Sequence, residues 1–336
     1  MRPDVDRRSG PMPPGPWLVV LGMHRSGTSA VSGALGGLGF QTPHPDDLMG
    51  WHESNPEHWE SVSISAYNDE LLADLGGSWE APPDLPPHWE DGAEVGEARN
   101  PTSAAGRAFP DAGPLVCKDP RLCILLPHWQ HFFPSPPTAV LVWRSPLSVA
   151  RSLRRRNGLH LAEGIALWER YNRSALEHLV GLDTYVCNYE SLVDDPSGTI
   201  GSLADWLRSR PQFASESIPW DVGLGISTIT ARPNADLDSD GELLLAPQRD
   251  LIARLAAAGG GHLPMDPMAL TSESSWTSAV IAARREGRTR KVEELEASVR
   301  EKQLALDRLR GSTSWRVTQP LRSIIAGIKG TGRDTG

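Results

Sequence analysis

Residues 17–38, WLVVLGMHRSGTSAVSGALGGL, constrain this chain more than any other stretch. The run from Trp17 to Leu21 is continuously apolar, as a strand covered on both faces requires. The small-residue turn Gly22-Met23-His24-Arg25-Ser26-Gly27 then opens a segment of helical character. A strand that leaves a tight turn as a helix aims successive backbone N–H groups at one point and adds the positive end of the helix dipole, which together cradle a phosphate or sulfate. Gly22, Gly27 and Ser29 fit the nucleotide-triphosphate pattern G-x-x-x-x-G-K-[ST], but Thr28 stands where the lysine belongs. Without a lysine on the β and γ phosphates, ordinary phosphoryl transfer is disfavoured. Here the cation is Arg25, ahead of Gly27.

The rest of the chain alternates strands and helices. Leu115-Val116-Cys117, Thr138 to Trp143 and Thr184 to Cys187 read as strands; residues 62–75, 146–153, 162–179 and 196–207 carry helical spacing. Pro146 sits in a first turn, where a missing N–H costs little. This alternation predicts an α/β, P-loop-like three-layer fold with a mostly parallel central sheet, plus a C-terminal helical tail. Ligands of such sheets bind at the C-terminal strand ends, where the turns at Gly22, Lys118 and Arg144 fall. The polar, aromatic stretch Asp46 to Ser61 reads as a functional surface loop, and Trp79 to Pro114, rich in Pro, Gly and acids, as an insertion without assigned structure.

A length of 336 residues suits one α/β domain of about 250 residues with appendages. The expected organisation is a disordered arm over 1–15, a main domain over 16–270, a helical or coiled-coil extension over 271–310, and an amphipathic or disordered tail over 311–336. A net charge of −9 argues against nucleic acid as partner, so an anionic ligand must be held by a local arginine cluster such as Arg144, Arg151, Arg154, Arg155 and Arg156. Three cysteines without paired or metal-site spacing suit a reducing compartment, and no signal peptide or bilayer-length apolar run is visible. These features predict a cytoplasmic protein. The near-heptad Val292, Leu295, Val299, Leu306 and Leu309 suit self-association, and the basic, apolar tail suits contact with the inner face of a membrane. His52 with His58, and His128 with His131, lack the spacing of metal ligands, so no metal is expected.

Arg25-Ser26-Gly27-Thr28-Ser29 resembles the 5′-phosphosulfate loop of the sulfotransferases that use 3′-phosphoadenosine 5′-phosphosulfate (PAPS), a basic residue followed by Ser-Gly-Thr-Thr/Ser. Arg144 and Ser152, eight residues apart across a strand end and the following helix, are similar to the pair with which that family holds the 3′-phosphate. Tyr189-Glu190-Ser191-Leu192-Val193-Asp194-Asp195-Pro196 resembles its Tyr-Glu-x-Leu-x-x-x-Pro element. The matches run in order from Trp17 to about Leu207, and Trp59-Glu60-Ser61 is similar to the aromatic-Glu-Asn/Ser context of the bacterial, carbohydrate-type branch.

The resemblance implies in-line transfer of a sulfuryl group from PAPS, with 3′,5′-ADP as product, to a hydroxyl on a glycan or glycosylated metabolite. It implies Arg25, Ser26, Gly27, Thr28, Ser29, Arg144 and Ser152 as the cofactor-binding set. Arg25 would also neutralise charge during transfer, Glu60 would serve as general base, and His58 is the next catalytic candidate ahead of His52, Glu53 and His24. Lys118, Arg121 and Trp59 are expected at the substrate, and Tyr189 and Glu190 as braces. Two rivals remain at this stage: a divergent P-loop small-molecule kinase, and a non-catalytic nucleotide-binding scaffold acting through the C-terminal helix.

Overall fold

The structure, a computed structural model, describes residues 11–50, 59–91, 100–214, 218–227, 229, 244–288 and 290. The chain divides into two compact units, Met1–Ala282 and Ala283–Gly336. Four parallel strands build the sheet of the first unit: β1 (Trp17–Leu21), β2 (Leu115–Lys118), β3 (Thr138–Trp143) and β4 (Thr184–Asn188). A short antiparallel β5 (Gly260–His262) closes the edge, giving the order β2-β1-β3-β4-β5. Chain order reverses on either side of β1, so the crevice beyond the C-terminal ends of β1, β2 and β3 is the expected ligand position of an open α/β sheet.

Strand side chains alternate between two cores. Trp17, Val19 and Leu21 join Leu115, Cys117, Ala139 and Leu141 on one face, while Leu18 and Val20 join Val116, Val140 and Val142 on the other. The first face is covered by α2 (Val62–Asp74), α3 (Thr102–Ala108), α4 (Leu122–Gln130), α5 (Pro146–Asn157), α6 (Leu161–His178) and a later helix, Ala246–Ala257. The second is covered by α1 (Thr28–Leu38), α7 (Tyr189–Asp194), α8 (Pro196–Arg208) and α9 (Val222–Ser227). This is the three-layer arrangement that the continuous apolar strands require, since each strand buries both faces.

The insertion left unassigned over 79–114 carries a 3-10 turn at Trp89–Asp91 and α3, whose Ala104, Ala105 and Ala108 enter the first core. Its seven residues are too short and too small-sided to give a readable period. Packing also continues past residue 270: a helix begins at 275, with Ser274 and Thr277 bonded to Glu169 of α6. Most of the heptad stretch and the whole 311–336 tail lie outside the described residues, as do residues 1–10 of the arm. Among the described residues no helix is long and apolar enough to cross a membrane.

Candidate functional site

The turn between β1 and α1 is fixed from several sides. Gly22 donates its N–H to Cys123 Sγ at 3.2 Å, an anchor that sequence reasoning did not find because it joins residues a hundred positions apart. Ser26 N–H bonds Met23 O at 3.0 Å and tightens the bend. Gly27 lies at φ +93°, and a Cβ there would fall 2.1 Å from the Tyr189 ring, so only glycine fits. Arg25 holds φ 72° with a side chain, a strained state of the sort concentrated at functional sites. As N-cap of α1, Gly27 supplies no side-chain cap, and the positive end of the helix dipole favours an anion at this turn. Ser26 Oγ is fully buried with no hydrogen-bond partner, and Thr28 is buried beside it. An orphaned buried hydroxyl in an amide-lined turn fits an anionic ligand.

Arg25 reaches from this turn to α5, where its Nε donates to Ser152 Oγ at 2.9 Å. Arg144, at the end of β3, donates from Nη1 to Arg25 O at 3.2 Å and lies over the Tyr189 ring, 4.3 Å from its centroid. Burial, then Arg156, Arg144 and Arg155, push the Arg25 guanidinium down to about 10, and burial likewise lowers Arg144. Both stay cationic at neutral pH, and the crowding of like charges is relieved by an anion. Trp168 Nε1–H bonds Arg144 O at 2.8 Å, and Glu190 accepts from Ser145 N–H at 3.1 Å and from Asn188 Nδ2 at 2.9 Å. The Tyr-Glu element thus braces this corner: Tyr189 packs under Gly27 and Arg144, while Glu190 fixes the start of α5. Arg154, Arg155 and Arg156 are exposed on α5.

The end of β2 supplies the third wall. Buried Lys118 donates from Nζ to Ser29 Oγ at 3.1 Å and pairs with the buried carboxylate of Glu60. Arg121, expected at the substrate, is instead held by carboxylates: Nε and Nη2 bond Asp69 at 2.6 and 2.8 Å, and Nη1 lies 3.3 Å from both Asp119 oxygens. Burial pulls its pKa down, but Asp119 and Asp69 outweigh that and hold it above its ordinary value. Asp119 also accepts from Ser65 Oγ at 2.9 Å, which ties this turn to α2.

His24 packs on Trp79 at 4.4 Å between centroids, and Tyr171 O–H bonds Trp79 O at 2.8 Å behind it. Burial first, then Arg121 and Lys118, hold the imidazole well below its usual value, so it is neutral. Trp59, at φ 51°, is half-buried next to Glu60. His58, His52, Glu53 and Trp51 lie outside the described residues. His128 is a core residue bonded to Tyr67 O–H at 2.6 Å and pushed down to about 4, first by burial and then by His131. Among the described residues one metal-type grouping occurs, His88, Glu90 and Asp91, on the largely exposed 3-10 turn. All three cysteines are buried and free.

No protein-family model matches the chain, and no curated protein does. Among solved structures, the chain is similar to the sulfotransferase domain of the olefin synthase of Synechococcus PCC 7002, at 19% identity and TM-score 0.39, over 73% of this chain and 96% of that one. It is also similar to sulfotransferase STF9 of Mycobacterium avium, at 13% identity and TM-score 0.40, over 79% of each chain. Sulfotransferase STF1 of Mycobacterium tuberculosis H37Rv gives 17% identity and TM-score 0.36, over 74% of this chain and 78% of that one. Likenesses this distant do not bear on chemistry, which has to be argued from the site itself.

Proposed function

We propose that this chain is a sulfotransferase that moves a sulfuryl group from PAPS to a hydroxyl of a glycan or glycosylated metabolite. One observation carries the reading: Arg25 bonds Ser152 while Arg144 bonds the backbone of Arg25, so the anion-cradling turn and the β3–α5 corner lie directly against each other. A ligand with anionic groups at both ends, as a bis-phosphorylated adenosine has, is what two adjoining cation-lined walls suit. Ser26, Gly27, Thr28 and Ser29, with the first-turn amides of α1, would hold the 5′ end. Arg144 and Ser152 would hold the 3′-phosphate.

In the transfer the acceptor oxygen bonds sulfur as the bond between sulfur and the bridging phosphate oxygen breaks, and the hydroxyl proton leaves. Arg25, between the two walls, neutralises charge growing on the departing oxygen, and Glu60 receives the proton, with His58 the next candidate. Most of the rate would come from positioning and from charge stabilisation in a partly dry cleft. Lys118 and Trp59 face the acceptor side in this reading, and Arg121 is reassigned to bracing through Asp69 and Asp119. No metal is required by any of these roles.

The test is a labelled-PAPS assay against a panel of glycans, glycosylated metabolites and simple alcohols, run with EDTA. The reading expects metal-independent transfer of label to at least one hydroxyl acceptor. Phosphate transfer from ATP that requires Mg²⁺ would replace it with the kinase, and binding of 3′,5′-ADP without transfer to any acceptor would favour the scaffold.

A further inference from the structure

Lys118 has a feature that substrate binding alone does not explain. Its side chain is 2% exposed and its ammonium is shared between Glu60, whose side chain is 10% exposed, and Ser29 in the first turn of α1. One buried cation therefore touches both the carboxylate proposed to take the acceptor's proton and the turn proposed to hold the donor. A buried ammonium has to be paired, and its three N–H groups are a fixed supply. An anion docking beside Ser29 offers it a second partner and competes with Glu60 for it.

We propose that Lys118 is a positioning residue that couples donor occupancy to the base: without donor it holds Glu60 in an ion pair, and an anion beside Ser29 draws the ammonium away and releases the Glu60 carboxylate. A carboxylate bonded to a buried ammonium is occupied by it, and one that has lost that partner is free to meet the acceptor hydroxyl. Glu60 is then competent only when the donor is in place. Asp119, the acid next to Lys118 in sequence, is engaged by Ser65 and Arg121. This rests on the sulfotransferase reading and on Glu60 as base.

The experiment is a double-mutant cycle on 3′,5′-ADP affinity, measured by calorimetry for the native chain, Glu60→Gln, Lys118→Gln and the double variant. Coupling of this kind predicts that Glu60→Gln, which frees the lysine, tightens binding about tenfold, and that the gain drops below about twofold when Lys118 is already glutamine. In turnover, Glu60→Gln should lower the PAPS KM as it lowers kcat, a split that a merely structural ion pair would not give. An equal gain in both backgrounds, as a simple loss of negative charge produces, or no gain at all, overturns the coupling. If Lys118→Gln alone does not fold, the double variant still decides, since it buries no charge. It must bind more than about tenfold more weakly than Glu60→Gln, and equal affinity overturns the proposal. Failure of the native chain to bind 3′,5′-ADP strikes instead at the sulfotransferase reading.

Discussion

Arg144 makes its contacts through two different surfaces, a guanidinium face on Tyr189 and an Nη1 on the backbone of Arg25. Such a cation is pre-organised for a second anion at the corner of β3 and α5. Charge-assisted hydrogen bonds contribute about 1.5–3 kcal/mol each, so Arg144→Ala should weaken 3′,5′-ADP by about ten- to a hundredfold and leave 5′-AMP within about twofold. Titration of the two nucleotides checks this, and equal losses would remove Arg144 from the 3′ end. For Glu60→Gln, turnover of labelled PAPS should fall at least about a hundredfold while nucleotide binding survives, within the usual contribution of a general base. Near-normal turnover would shift the proton to His58 or to His24. His24 is the weaker of these, since burial first, and then the cations around it, hold it neutral and poorly basic.

At the scale of elements, the turn and its helix act as a unit whose shape depends on Gly27. Gly27→Ala would place a methyl group into the Tyr189 ring at a φ of +93°, so either the turn or α7 must shift. It should cost roughly 1–3 kcal/mol of stability, seen as a lower melting temperature, and abolish binding of 3′,5′-ADP. Unchanged binding would mean that the turn does not hold the anion. This unit was readable in sequence because all its signals are local: an apolar strand, glycines where a Cβ is forbidden, and a helix beginning at Thr28. The four parallel strands and helices α1, α2, α5, α6 and α8 were readable on the same ground. What escaped were features made by distant residues. Cys123 anchoring Gly22, Tyr171 backing Trp79, and Asp69 claiming Arg121 leave no trace in local spacing. β5 escaped for another reason, because Gly-Gly-His pairs through its backbone and has no strand-like side chains.

Across the first unit as a whole, Glu169 joins parts that lie far apart in sequence. Its buried carboxylate accepts from Thr277 Oγ1 at 2.7 Å, Ser274 N–H and Oγ at 3.0 Å, Gln248 Nε2 at 3.0 Å and Arg173 Nε at 2.9 Å. Burial would raise its pKa, but these hydrogen bonds and Arg173 outweigh it and hold it below the ordinary carboxylate range. A depressed folded value stabilises the fold above the unfolded pKa, near 4.3, and that contribution is lost as pH falls through the folded value. Glu169→Gln should therefore lower stability by about 3 kcal/mol at neutral pH, leaving Arg173 buried without its charge partner. In thermal melts across pH, the gap between native and variant should narrow below about pH 4; a gap independent of pH would refute the assignment. This tie carries packing past residue 270, through Ser274 and Thr277.

The central claim is that one cleft holds both ends of a bis-phosphorylated adenosine, with Arg25 between them. Calorimetry of 3′,5′-ADP against ADP on the native chain tests it most directly. Tight binding of 3′,5′-ADP, at least about a hundredfold stronger than ADP and unaffected by EDTA, is the predicted result. Equal binding of the two nucleotides, or preference for ADP with Mg²⁺, would contradict it.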